Sequence, residues 1–259
     1  MTVPARVVHA YGSDRSQVCE LFLPAGAGPH PVVVVVHGGY WRARYDRSLM
    51  TDLCVDLAEH GVAAWNIEYR RVGSGGGWPQ TFFDVAAATD LLASIDVPLD
   101  LSRAVGVGHS AGGHLAFWVA ARPTLPPGVP GSGPRVRLAA VASQAGVLDL
   151  RLASELTPSD EPTRALLGTP EQHPEVYDLA SPLQRLPLGI PQLVLHGERD
   201  TTVALEISRS YADAARAAGD PCELHVLCDT GHFEHIDARS DAWRMARDWL
   251  LGYAMADRS

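Results

Sequence analysis

Three residues far apart in this 259-residue chain could together break an acyl bond: Ser110, Asp200 and His232. Ser110 lies in Gly108-His109-Ser110-Ala111-Gly112, a G-x-S-x-G pentapeptide between a short apolar segment and a helix-forming one. A strand that turns sharply into a helix at a serine exposes the hydroxyl, and small neighbours are needed where strand and helix nearly touch. The bland alternative is a Gly-rich turn without chemistry. A serine hydroxyl is a weak nucleophile until a base takes its proton, and the base needs an acid to orient it. Leu193–Asp200 reads as a strand entering a turn that presents a carboxylate, and Cys228–His232 as a strand end followed by an imidazole. Glu198 could stand in for Asp200, but Asp200 comes after the turn and just before a helix. His235 could stand in for His232, but it falls three residues further on, towards the last helix.

A second constellation is Val36-His37-Gly38-Gly39-Tyr40-Trp41, directly after the run Val32–Val36. Acyl transfer builds negative charge on a carbonyl oxygen, and preorganised backbone amides stabilise it. Gly38 and Gly39 let the backbone come close to a substrate. The amides of Gly39, Tyr40 and Ala111 are expected to point at the oxyanion, with Gly38 part of the same hole. Tyr40, Trp41, Trp78 and His109 are the candidate substrate contacts. His37, His109, His114 and His196 also suit hydrogen bonding around the elbow, and Trp78, Phe82, Phe83 and Trp118 suit the core. The Gly73–Gly77 run has no Gly-Lys-Ser/Thr after it, so it reads as a flexible loop near the mouth rather than a phosphate loop. No His-Glu-x-x-His or other metal-ligand pattern occurs, so no metal and no cofactor is expected.

Positioning these groups requires a scaffold that gathers loops at one edge. Arg6–His9 and Gln17–Leu23 read as paired edge strands, and Val32–Val36 as a strand buried on both faces. Helix patterns over Ser48–His60, Thr81–Ser94, Ser110–Ala121, Thr202–Ala218 and Ser240–Leu251 alternate with strand patterns. The strands are Val62–Ile67, Arg103–Val107, Leu138–Ser143, Pro191–His196 and Cys222–Leu227. That alternation predicts an α/β fold, a doubly wound, mostly parallel sheet flanked by helices, in which sites lie beyond the carboxyl ends of the strands. Pro123–Pro134 reads as a surface loop. Residues 146–189 carry short helical patches and could form a small cap or lid, or an ordinary long connection. No linker divides the chain, so residues 1–259 are expected to form one domain.

With 46% hydrophobic and 20% charged residues the chain fits a soluble globular protein. Its net charge of −9 works against binding nucleic acid. Cys19, Cys54, Cys222 and Cys228 show no metal-type spacing. The last two fall along one strand, about 20 Å apart, and could not bridge each other. The N-terminal stretch has no apolar core and no run is long enough for a bilayer, so a cytoplasmic protein with no membrane partner is expected. The expected partner is a small-molecule acyl substrate. Monomer and homodimer both remain open.

On these residues the sequence resembles the serine-dependent α/β-hydrolases. His37-Gly38-Gly39-Tyr40-Trp41 is similar to the HGGxW motif of the arylformamidase (kynurenine formamidase) branch, and Gly108–Ala116 to that branch's elbow. The resemblance covers the chain in order of elements, and Ser, Asp, His is that fold's chain order. It implies Ser110, Asp200 and His232 as triad, the 38–40 loop as oxyanion hole, and hydrolysis of an N-formyl arylamine such as N-formylkynurenine. A general short-chain carboxylesterase is the alternative, since HGGxW also occurs in esterases of small acyl esters. A non-catalytic binding protein of this fold is the alternative of another class. Tyr40 stands where the lipase-type branch has a third glycine, which argues against bulky acyl groups.

Overall fold

The β-branched run Val32–Val36 occupies the middle of the sheet. The computed structural model describes residues 4–156 and 162–256. Eight strands form one sheet in the order β1-β2-β4-β3-β5-β6-β7-β8. They are β1 (Ala5–Ala10), β2 (Val18–Leu23), β3 (His30–Val36), β4 (Ala63–Ile67), β5 (Leu99–His109), β6 (Ala140–Gln144), β7 (Gln192–Gly197) and β8 (Cys222–Leu227). The β1–β2 pairing is antiparallel, as the edge pair predicts, β2–β4 is antiparallel as well, and the remaining pairings are parallel.

Helices cover both faces. Val33 and Val35 pack with α1 (Thr51–Glu59) and α8 (Asp241–Ala254) through Leu53, Leu57, Trp243 and Leu250. Val32, Val34 and Val36 face α2 (Gln80–Leu91), α3 (Ala111–Ala121) and α7 (Leu205–Ala217), with Phe82, Phe117 and Tyr211 in the same cluster. Period-two alternation thus splits one strand between two cores. Each such valine contributes about 1.5–3 kcal/mol by leaving water, which explains why the run tolerates no polar residue.

The sheet reverses its winding at β3. From β3 the chain moves to β4 on one side and later to β5 on the other, so the loops after β3 and β5 leave from neighbouring strands at the switch point. Those loops carry Gly38–Trp41 and Ser110.

The remaining differences from the sequence-based expectations are local. The helix expected from Ser48 opens as a 3-10 turn over Arg47–Met50, with the Asp46 side chain capping the Ser48 amide. Phe83 is 48% exposed, because α2 turns Phe82 and Val85 inward instead. Residues 146–189 hold α4 (Leu150–Leu156), α5 (Pro162–Leu167), α6 (Pro174–Ala180) and a 3-10 turn at Pro182–Arg185. Residues 157–161 of this expected cap lie outside the described residues. Among the described residues no helix is long and apolar enough to cross a membrane.

Candidate active site

Ser110 follows β5 directly and precedes the first residue of α3, with φ 56° and ψ −121°. A non-glycine residue there costs about 1–3 kcal/mol and persists only where its surroundings fix it. Its amide donates to the Gln144 carbonyl at the end of β6 (2.8 Å), and its carbonyl accepts from the His114 amide (3.2 Å). A Cβ on Gly108 would run into the Gly112 backbone, and one on Gly112 into the Val36 carbonyl. Only glycine at both positions lets β5 and α3 meet this closely.

Two further strand ends bring the acid and the imidazole. Asp200 follows β7, and its side chain is fully buried. Oδ1 accepts the amides of Thr202 (2.7 Å) and Val203 (2.9 Å), while Oδ2 accepts from His232 Nδ1 (2.7 Å). Burial opposes ionisation of this carboxyl. The donors from His196 and His232 outweigh it, and hold Asp200 well below the usual carboxylate range. With Nδ1–H donating to Asp200, the other nitrogen of His232 keeps a lone pair, the tautomer a general base needs. Glu198 is exposed.

The other histidines have separate tasks. His196 is buried beneath the turn, its Nε2 donating to the Val203 carbonyl (2.9 Å) and its Nδ1 accepting from Ser208 (2.7 Å). His109 Nε2 donates to the His232 carbonyl (2.9 Å), and the two rings lie 4.5 Å apart. His109 therefore ties the elbow to the histidine loop. It does not line the cavity beside Ser110, contrary to its expected role as a substrate contact. The cause is strand geometry: the residue before the elbow points to the opposite side from Ser110. Burial, and then the neighbouring His232 and His235, push the His109 imidazole well below its ordinary value. His114 accepts from the Trp41 indole N–H (3.2 Å) and donates to the Ala180 carbonyl (3.0 Å), and burial lowers it to about 4.

The loop after β3 turns tightly. Gly39 has φ 109°, and Tyr40 and Trp41 have φ 56° and 54°. The Arg42 amide closes the turn on the Gly39 carbonyl (3.0 Å), and positive φ at both central residues matches the type I′ class. The Ala111 amide opens α3, at a position with no intrahelical partner. Between this loop and the elbow lies an apolar cavity of about 50 Å³. Ser110 reaches it with Tyr40, Trp41 and Ala111, and Val147, Leu156, Val203 and Ile207 close its walls.

Trp41, a candidate substrate contact, is 1% exposed and lines the cavity. Trp78 does not line the cavity. It packs edge-on against Phe82 (4.8 Å), and its amide donates to the Leu166 carbonyl (2.8 Å), so the Gly73–Gly77 loop docks on α5. Sequence reasoning missed the aliphatic wall, which comes from α4, α5 and α7 and has no local pattern. It also missed Phe233, 66% exposed and set edge-on to His232 (5.2 Å), whose place directly after the histidine was the available signal.

The fold is that of the α/β-hydrolases, with a serine at the strand-to-helix elbow and an Asp–His pair on the neighbouring strand ends. The chain belongs to the BD-FAE family, whose model matches residues 19–214. It is 32% identical over 227 residues to "Esterase LipC" of Mycobacterium tuberculosis, covering 80% of this chain and 54% of that one. It is 26% identical over 238 residues to "Kynurenine formamidase" of Drosophila melanogaster, covering 88% and 74%. The chain thus spans about half the length of the mycobacterial relative. A solved truncated carbohydrate esterase from gut microbiota superposes with a TM-score of 0.82 at 20% identity, covering 98% of each chain.

Proposed function

We propose that the protein is a carboxylesterase that removes short acyl groups through Ser110, Asp200 and His232. The small apolar cavity against Ser110 carries this reading. A water needs about 10–15 Å³ by the same kind of measure, so the cavity holds roughly four water-sized groups, an acyl chain of about two to four carbons. Its walls offer aliphatic contact and little hydrogen bonding. The similarity to LipC supports the ester class.

In this scheme His232, oriented by Asp200, takes the Ser110 proton as the oxygen attacks the carbonyl carbon. The amides of Gly39, Tyr40 and Ala111 hold the oxyanion, with Gly38 allowing the close approach. His232 then protonates the leaving alcohol. Water, deprotonated by the same imidazole, attacks the acyl-enzyme and releases the acid and Ser110. Tyr40 and Trp41 bound the acyl group, and Phe233 offers the departing group an aromatic surface at the rim.

Hydrolysis of an N-formyl arylamine is the second reading, favoured by the His37–Trp41 motif and the similarity to kynurenine formamidase. A formyl group would leave most of the cavity unfilled, which favours the ester. The deciding experiment compares p-nitrophenyl esters of two to ten carbons with N-formylkynurenine, using Ser110→Ala as control. kcat/KM should peak at two to four carbons and fall at least tenfold by eight. Preference for the formamide by orders of magnitude would reverse the two readings. Wild-type turnover in Ser110→Ala would dismiss both.

A further inference from the structure

The loop assigned to the oxyanion leans on a buried charge cluster at the end of β4 that the acyl-transfer scheme does not use. His37 is fully buried, and its ring stacks on Tyr69 with centroids 4.4 Å apart and planes 12° from parallel. The Tyr69 hydroxyl donates to the His37 carbonyl (2.9 Å). Both ring nitrogens of His37 face acceptors. Nε2 lies 3.0 Å from Glu68 Oε1, and Nδ1 lies 2.7 Å from the Gly38 carbonyl oxygen.

A carbonyl oxygen can only accept, and so can an ionised carboxylate. Glu68 is buried and surrounded by donors. Oε1 also accepts the Tyr69 amide (2.9 Å) and pairs with Arg71 Nη1 (2.8 Å), while Oε2 accepts the Arg47 amide (3.0 Å). Burial works against its ionisation, yet His37, Arg71 and the Tyr69 amide hold its carboxyl below the ordinary range. The other charges packed here are Asp46 and Arg47, ahead of α1, and Glu20 on β2, which pairs with Arg47 and Arg6. An imidazole between a carboxylate and a carbonyl satisfies both only with an N–H on each nitrogen.

We propose that His37 is an imidazolium clamped between the Glu68 carboxylate and the Gly38 carbonyl, and that it acts as a positioning residue for the oxyanion loop. This rests on the assignment of that loop under the proposed function. The link is the peptide plane. In a trans peptide the C=O of Gly38 and the N–H of Gly39 point in opposite directions. A ring that holds the Gly38 oxygen on the His37 side therefore aims the Gly39 N–H away from it, fixing one proposed oxyanion donor. A charged donor on that oxygen also polarises the amide, which strengthens the N–H at its other end. The clamp thus couples a buried charge to the donor without touching substrate.

The direct test is two-bond ¹H–¹⁵N NMR of protein with ¹⁵N-labelled histidine at neutral pH. The His37 ring is identified by its contacts to the Tyr69 ring and by its absence in His37→Gln. Protonated-nitrogen shifts at both positions are expected. A single protonated nitrogen, with the proton on Glu68, would overturn the clamp. The second readout is kinetic, on a short-chain p-nitrophenyl ester. His37→Gln can donate to only one of the two acceptors, and kcat should fall about 10²-fold with KM nearly unchanged, as misplacement of a transition-state donor predicts. Wild-type kcat in a folded His37→Gln, beside an inactive Ser110→Ala, would overturn the positioning role and leave acyl transfer intact. Turnover retained in Ser110→Ala would instead overturn acyl transfer and the positioning role together, while the protonation of the ring would still be decided by NMR.

Discussion

The two flanks of Ser110 solve opposite electrostatic problems. On the β3–β4 flank, both ring nitrogens of His37 and both oxygens of Glu68 are bonded, and the unpartnered atoms are outlying ones: Arg47 Nε, Arg71 Nε, Glu20 Oε2 and Asn66 Oδ1. On the β7–β8 flank, His109 Nδ1, both ring nitrogens of His235 and Gln144 Oε1 have no hydrogen-bond partner among the described residues. In the proposed mechanism the first flank presents fixed dipoles to a charge that comes and goes, so a fixed His37–Glu68 pair serves it. On the second flank the proposed mechanism has His232 take up and return a proton. Its imidazole neighbours there are proton-poor: burial lowers His235 to about 3 and pushes His109 down as well. Neutral neighbours would not compete for the proton that His232 carries in the proposed mechanism.

The largest break in this contrast should come from Asp200→Asn. The amide keeps the shape but can present its N–H to His232, favouring the wrong tautomer. A loss in kcat of about 10⁴ is expected, with KM little changed, in steady-state assays on a short ester. On the rigid flank the matching variant is Gly39→Ala. Its φ of 109° disfavours any side chain, and the added Cβ would collide with the Tyr45 side chain. The turn must shift, so kcat and kcat/KM should fall together by about 10². A raised KM at unchanged kcat would instead assign the loop to ground-state binding.

These residues were not equally legible. The elbow announced itself because its glycines are forced by strand–helix contact, which is written locally. Asp200 was separable from Glu198 because a residue after the turn faces inward, whereas Glu198 stays in solvent. The sheet was legible for the same reason, since a strand buried on both faces must read as an unbroken apolar run. His109 takes its expected hydrogen-bonding role and not the substrate contact, because adjacency to Ser110 in sequence does not mean a shared face. Trp78 packs on the core, one of its two readings, rather than on the cavity, because an aromatic beside a glycine loop carries no periodicity to show what it packs on. Glu68 and Arg71 belong to no sequence motif, and only the fold reveals them as a buried cluster behind the His37 loop. The cavity wall, drawn from α4, α5 and α7, exists only once the tertiary structure brings it together.

Acid should act on the β7–β8 flank in two windows. His109 and His235 have folded-state values below the ordinary 6.5. Below that pH the unfolded chain takes up protons that the folded chain refuses, so stability falls as pH drops from about 6.5 towards the folded values. Asp200 acts in a lower window, because its depressed carboxyl contributes fully above its ordinary value and is lost only as pH falls below about 4. Urea unfolding at pH 7 and pH 5 should therefore show a loss of about 2 kcal/mol from His235, with His109 adding to it, before Asp200 contributes. Equal stability at the two pH values would mean that these rings accept protons in place.

The smallest expected effect is also the sharpest discriminator, His235→Leu. A buried polar group without a partner has already lost its hydration, so an apolar side chain of similar volume removes a cost rather than a bond. The backbone carbonyl of His235 remains to accept Gln144 Nε2 (2.6 Å), so the link to the β6 strand end that receives the Ser110 amide survives. Stability at pH 7 should stay within about 1 kcal/mol or rise, kcat should stay within a few-fold, and the loss between pH 7 and pH 5 should shrink by about 2 kcal/mol. A large drop in kcat with normal stability would place His235 on the proton's route, and the β7–β8 flank would then be a relay rather than a set of neutral bystanders. Retained kcat with reduced acid sensitivity would leave His232 as the one imidazole there that changes charge during turnover.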